Sequence, residues 1–192
     1  MTPSTLDPEQ RLLDVASRLF YAHGIHAVGV DRVIAEAAVA KATLYAHFSG
    51  KADLVAAYLA AQSRKWVEAA ERGVARRRAG TPDAVLSLFD LLYETSRRPG
   101  YRGCPFINAA AEFPGPGPVS TEIADHRQRV RAVFAGAGGT LLDDRSMLNA
   151  VVALYGGAMS AADLDRDPEI VLHAASATRR LLEPDTGAPP AA

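Results

Sequence analysis

VDRVIAEAAVAKATLYAHFSGKADLVAAYL, residues 30–59, is the stretch from which the rest of the chain is read. Val33, Ile34 and Ala37 recur at helical spacing, and Asp31 stands in the first turn, where a carboxylate suits the positive end of the helix dipole. Gly29 serves as N-cap. The pattern predicts a short helix over 31–37, a break at Ala38-Val39-Ala40, and a second helix from near Lys41. Leu44, Tyr45 and Phe48 are placed on or near the inner face of that second helix. Ser49-Gly50 stops it, and a third helix resumes at Lys51 with Leu54, Val55, Tyr58 and Leu59 on one stripe. Two short helices across a tight turn form a helix-turn-helix, an arrangement suited to DNA.

Working outward, Asp7-Pro8-Glu9-Gln10 reads as a helix start, with Asp7 as N-cap, Pro8 at the first helical position and Gln10 completing a capping box. Leu12, Val15, Ala16, Leu19, Phe20 and His23 follow at intervals of three and four, and Gly24 ends that helix. Residues 1–6 read as a flexible arm. Downstream, the pattern continues past Leu59 through Trp66 toward Arg76-Arg77-Arg78 as one long helix. Gly80-Thr81-Pro82-Asp83 gives a break and a fresh start, with an apolar stripe of Val85, Leu88, Phe89, Leu92 and Tyr93. A short helix is predicted over 105–112, a loop over 113–118 because of its prolines and glycines, and a helix over 122–135. Two terminal helices are placed at about 141–162 and 168–182, before a proline-rich tail that reads as disordered.

The run Val30-Asp31-Arg32-Val33-Ile34-Ala35, then Ala37 through Phe48 with Thr43-Leu44-Tyr45-Ala46-His47-Phe48, then Lys51-Ala52-Asp53-Leu54, resembles the signature of the tetracycline-repressor-like (TetR) family of transcriptional regulators. The resemblance covers the first third of the chain and the remainder only in length and helical character. It implies an all-α protein: a three-helix DNA-binding head, an all-helical ligand-binding body, a homodimer, and repression relieved by a small molecule. The chain departs from the family pattern at Ala38, where Gly is usual in the turn, at Ala40, where Ser is frequent, and at Ala46, where a larger aromatic or basic residue is common. Val28 and Gly29 replace the hydroxyl residues common before the first short helix.

Carried over residue by residue, the resemblance makes Lys41 the leading base or phosphate contact. Thr43, Tyr45 and His47 resemble phosphate-contacting positions, and Lys51 follows at the next helix start. The expected division is a head over 1–52, an effector-binding and dimerisation body over 53–183, and a tail over 184–192. Trp66, Phe89, Tyr93, Cys104, Phe106, Ile107, Phe113 and Tyr155 are the candidates for lining an effector cavity, with the irregular segment 100–118 at its border; ordinary core is the competing reading for these residues. The terminal helices could pair with those of a second copy, through a face carrying Leu148, Val152 and Tyr155.

Composition is compatible with this reading. The 192 residues are 48% hydrophobic and 22% charged, a globular balance rich in helix formers. A net charge of -1 argues against a nonspecific nucleic-acid coat, which would be strongly basic. No apolar run is read as a membrane span and no secretory signal is seen, so a cytoplasmic location is expected. The single cysteine, Cys104, excludes an intrachain disulfide.

Other chemistries find little support. Asp163, Asp165 and Asp167 alternate like a calcium loop, but Pro168 stands where Gly is required and Ala174 where Glu is required. The five histidines have no metal-ligand spacing, and the glycine clusters near 136–139 and 156–157 lack the Lys-Ser/Thr of a phosphate loop. No cofactor, metal or catalytic site is expected. The alternatives to a regulator are a helical adaptor or an all-α enzyme with a vestigial head.

Overall fold

The computed structural model describes residues 7–183; the expected arm over 1–6 and tail over 184–192 lie outside the described residues. Within them are nine α-helices and one 3-10 turn. They are α1 (Pro8–His23), α2 (Val30–Ala37), α3 (Lys41–His47), α4 (Lys51–Val74), α5 (Pro82–Ser96), α6 (Pro105–Glu112), α7 (Pro118–Gly138), the 3-10 turn Gly139–Leu142, α8 (Arg145–Leu164) and α9 (Glu169–Leu182). The all-α reading is correct.

Two compact units result. Among the described residues, the first comprises residues 7–65 with Cys104–Arg127, and the second Trp66–Gly103 with residues 128–183. The units do not coincide with a cut at residue 52: α4 and α7 each contribute residues to both, and α6 packs with the head.

In the first unit the apolar stripes named above converge. Leu12, Ala16, Leu19, Phe20, Val33, Leu44, Leu54, Val55, Tyr58 and Leu59 are all buried in one core, with Phe106, Ala109 and Val119 joining from α6 and α7. Each fully buried leucine contributes about 1.5–3 kcal/mol of hydrophobic stabilisation, which fixes three short helices that would not persist alone. Phe20 and Tyr58 meet edge to face, with ring centroids 5.7 Å apart.

In the second unit the core is built around aromatic rings. Phe89, Phe134 and Tyr155 pack edge to face at 5.2 to 6.3 Å, and Trp66 Nε1 donates to the Tyr155 hydroxyl at 3.1 Å. Tyr93 donates to Glu169 at 2.8 Å, and Arg179 pairs with Asp83 at 2.6 Å, tying α5 to α9. The Tyr93 hydroxyl is pushed above its ordinary pKa chiefly by that bond to Glu169.

Several local expectations are corrected. The expected capping box is not formed: Asp7 makes no side-chain cap bond, and the Gln10 side chain donates forward to Asp14 at 2.8 Å rather than back to Asp7. α7 begins at Pro118, four residues before the expected start, since proline is compatible with a first helical position. The start of α8 is delayed to Arg145 because the Asp144 carboxylate accepts the Ser146 N–H at 2.9 Å and caps it there. That bond also holds the Asp144 carboxyl below its ordinary pKa. Among the described residues, α8 is long and apolar enough to cross a membrane by length and composition alone. Its apolar character has another use here: Val151, Tyr155, Ala158 and Ala162 fill the second core.

The face of α8 expected to form a dimer seam is also corrected. Tyr155 is 3% exposed and belongs to the monomer core, and Leu148 and Val152 are half-buried against that core, so Tyr155 cannot serve as a seam residue. The opposite face of α8 and the adjoining face of α9 border an open groove of about 550 Å³. Ala150, Ala153, Leu154, Gly157 and Ala161 come from α8, and Ile170, His173 and Ala174 from α9.

Candidate nucleic-acid interface

The turn between α2 and α3 sets the site. Ala38 adopts a left-handed conformation, φ 52° and ψ 50°, directly after α2. Its N–H donates to Ala35 O at 3.2 Å and the Val39 N–H donates to Ile34 O at 3.3 Å. This is a Schellman ending, and the Val39 and Ile34 side chains both pack on the head core, as that motif favours. The usual Gly of the family pattern is therefore replaced by a residue that adopts the same backbone.

α3 then runs for seven residues from Lys41, with Leu44 fully buried as its anchor and Phe48 capping its end. Lys41, Ala42, Tyr45 and Ala46 are exposed at positions i, i+1, i+4 and i+5, so they share the outer face. Tyr45 is 48% exposed and belongs to that face, a correction to its placement on or near the inner one. His47 is exposed with its Nδ1 3.4 Å from Glu9 Oε2, and Thr43 is half-buried. Lys41 Nζ lies 3.2 Å from Asp31 Oδ1, and Lys51 Nζ reaches the His26 carbonyl oxygen at 3.5 Å. Burial pulls the Lys51 ammonium below its ordinary pKa, while the neighbouring Glu112 carboxylate acts in the opposite direction. The structure thus brings the five sequence-predicted DNA-contact residues onto α3 and the first turn of α4.

An all-helical protein with a basic and aromatic outer face on the second helix of a helix-turn-helix matches a known family. Residues 12–58 match the family model described as bacterial regulatory proteins, tetR family. The crystal structure of a TetR-family transcriptional regulator from Streptomyces coelicolor is 37% identical, with a TM-score of 0.81 over 90% of this chain and 94% of that one. The chain belongs to the TetR family of transcriptional regulators. Like that family it is a DNA-binding regulator, and its relatives are not enzymes. The HTH-type transcriptional activator FasR of Mycolicibacterium smegmatis is 37% identical over 99 residues, 48% of this chain. That alignment takes in only 42% of the activator's own length. A putative TetR regulator from Streptomyces avermitilis shares the fold, with a TM-score of 0.74 at 24% identity over 90% of this chain and 98% of that one.

Residues around the helix-turn-helix of this TetR-family chain were not foreseen as partners. Glu36 accepts from Arg18 at 2.5 Å, which binds α1 to α2, and from Arg32 within α2 at 2.9 Å. The Arg18 bond, then the Arg32 bond, holds the Glu36 carboxyl below its usual pKa. The 32/36 spacing signals one of these pairs, whereas nothing local signals Arg18.

The expected ligand residues divide between the two units. Cys104, Phe106, Ile107 and Phe113 fall in the first, and Trp66, Phe89, Tyr93 and Tyr155 in the second. Phe106 is buried and stacks flat on His126 with centroids 3.5 Å apart, and Ser63 lies 3.0 Å from His126 Nδ1. Ile107 is exposed, and Cys104 is half-buried with its thiol pushed above its ordinary pKa by burial. Among the described residues, no group of three His, Cys, Asp or Glu side chains converges as a metal site.

Proposed function

We propose that this chain is a ligand-responsive repressor that binds a near-palindromic operator as a homodimer. The observation that carries the docking mode is the outer face of α3, where Lys41 and Tyr45 stand beside the bare methyl groups of Ala42 and Ala46. A helix with this face fits a major groove: Lys41 suits guanine acceptors or a phosphate, the two methyl groups suit thymine methyls, and Thr43, Tyr45, His47 and Lys51 suit the flanking phosphates. Two heads would meet successive grooves on one face of DNA, about 34–36 Å apart or at a wider spacing. The small-residue face of α8 with α9 supports the dimer, since it leaves room for the close approach of a second helix pair.

A hydrophobic small molecule in the body would favour a head spacing that DNA does not, through α4, which continues unbroken from Lys51 to Val74. Trp66, Phe89, Tyr93 and Tyr155 are the contacts proposed in the second unit, and Cys104, Phe106, Ile107 and Phe113 those in the first. The proposed location is the cytoplasm. The similarity to an activator over half the chain makes activation the second reading. Selection of bound duplexes from a random library, followed by a reporter carrying the selected site, tests both. Enrichment of a near-palindrome is expected, with the reporter silenced by the protein. No enrichment would overturn the docking mode, and an increased reporter signal would replace repression by activation.

A further inference from the structure

Glu112, the last residue of α6, reaches into the helix-turn-helix from 87 positions beyond Ile25 in sequence. Its Oε1 accepts the Ile25 N–H at 2.9 Å, and its Oε2 accepts the N–H of His26. His26 Nδ1 lies 3.3 Å from the same Oε2, and the His26 ring stacks on Phe113 with centroids 5.2 Å apart and planes inclined by 26°. The segment held in this way is the turn that leaves α1 at Gly24, with φ 88°, and starts α2 at Val30. The His26 carbonyl in turn faces Lys51 Nζ at 3.5 Å. One carboxylate therefore satisfies two successive N–H groups past the end of α1, and the residue it holds lies against the cation at the start of α4. Charge-assisted bonds of this kind are stronger than neutral ones and fix direction as well as position.

We infer that Glu112 is a positioning residue for DNA recognition: by clamping the Ile25-His26 turn, it sets where α2 begins and where Lys51 is presented. The inference rests on the proposed docking through α3 and Lys51. Glu112 itself touches no DNA in that docking, and as an anion beside a cationic contact it opposes phosphate. Removing its charge without disturbing the turn would tighten operator and random duplexes alike and leave their ratio unchanged. Releasing the turn lowers the ratio, because only the operator complex requires one fixed geometry.

The experiment uses the full chain, an operator obtained by selection, and a random duplex of the same length. Glu112→Gln and Glu112→Ala are expected to lower the operator-to-random affinity ratio by about tenfold, with helix content retained in circular dichroism. His26→Ala, which keeps both N–H groups but loses the ring contact, is expected to lower it less. Hydrogen exchange supplies a readout that does not depend on the variants folding: the Ile25 and His26 amides of the wild type should exchange slowly, although neither lies within a helix. An unchanged ratio in folded Glu112 variants, or wild-type Ile25 and His26 amides exchanging at the rate of an unstructured peptide, overturns the inference. A wild type that selects no sequence overturns the docking reading and this role with it. Slow exchange at the two amides would then identify the docking reading as the point of failure.

Discussion

Lys41 Nζ lies 3.2 Å from Oδ1 of Asp31, so the leading DNA-contact cation is already engaged by a carboxylate at the start of α2. Both side chains are well exposed, and an exposed pair of this kind contributes about 0–1 kcal/mol. Phosphate or a guanine edge can therefore displace Asp31 at small cost. Asp31→Asn is expected to tighten DNA binding by roughly two- to fivefold, for operator and random duplex alike, since it removes a competitor and a like charge together. Lys41→Ala is expected to weaken operator binding and, if Lys41 meets phosphate, to lower the salt slope by about one. Fluorescence anisotropy across a salt series measures both; tighter binding by Lys41→Ala would place α3 away from the groove.

Ala38 is strained for a reason visible in its backbone. A residue with a Cβ in the left-handed region costs about 1–2 kcal/mol, whereas glycine pays little there but carries more freedom in the unfolded chain. At φ 52° the first effect exceeds the second. Ala38→Gly is expected to stabilise the chain by about 0.5–1 kcal/mol, a rise of a few degrees in Tm by calorimetry. A lower Tm would mean that the Schellman ending is not the dominant state of this turn.

Glu36 gives the first unit a pH dependence whose sign follows from its partners. Its folded pKa is depressed by Arg18 and Arg32, so the stabilisation it provides is present above the unfolded carboxylate pKa and is lost as pH falls through the folded value. Glu36→Gln should therefore melt below the wild type near pH 6, and the gap should close as the pH is lowered from about 4.5 into the acid range. A gap that stays constant through that range would show that the two arginines do not favour the ionised form.

Much of this molecule was legible in local sequence. α6 has the predicted bounds, α3 begins at Lys41 as expected, and α2 begins one residue earlier, because short-range periodicity and breakers act within a turn or two of helix. The family-bearing residues 30–54 were likewise readable as a contiguous pattern. The errors arose where a distant group or a three-dimensional face decided the outcome. Asp144 stops an apolar run from starting α8 early, and Glu112 is joined to Ile25 by a contact that no periodicity encodes. Periodicity does not separate the faces of α8, because both are apolar: Val151, Tyr155, Ala158 and Ala162 lie in the core, while Ala150, Ala153, Leu154 and Gly157 border the open groove.

The open face gives the proposed assembly a discriminating test. Gly157 is exposed, and a Cβ built on it meets nothing within 4 Å, so the isolated chain tolerates a side chain there. With Ala153 and Ala161, it forms the small-residue stripe bordering the α8–α9 groove, where a second copy would have to approach closely. Gly157→Glu is expected to keep or slightly raise helix stability, since glycine is about 0.5–1 kcal/mol less favourable within a helix than residues with ordinary propensity. In a two-fold interface the same substitution places two carboxylates near each other and out of water, so the dimer should dissociate. Val152→Glu instead places a carboxylate at a half-buried position packed against the second core and should destabilise the fold by about 1–3 kcal/mol. Sedimentation and thermal melting separate these outcomes: the expected result is a folded Gly157→Glu monomer with weakened operator binding and a Val152→Glu chain that melts early. A Gly157→Glu chain that remains dimeric at micromolar concentration would exclude this groove as the seam.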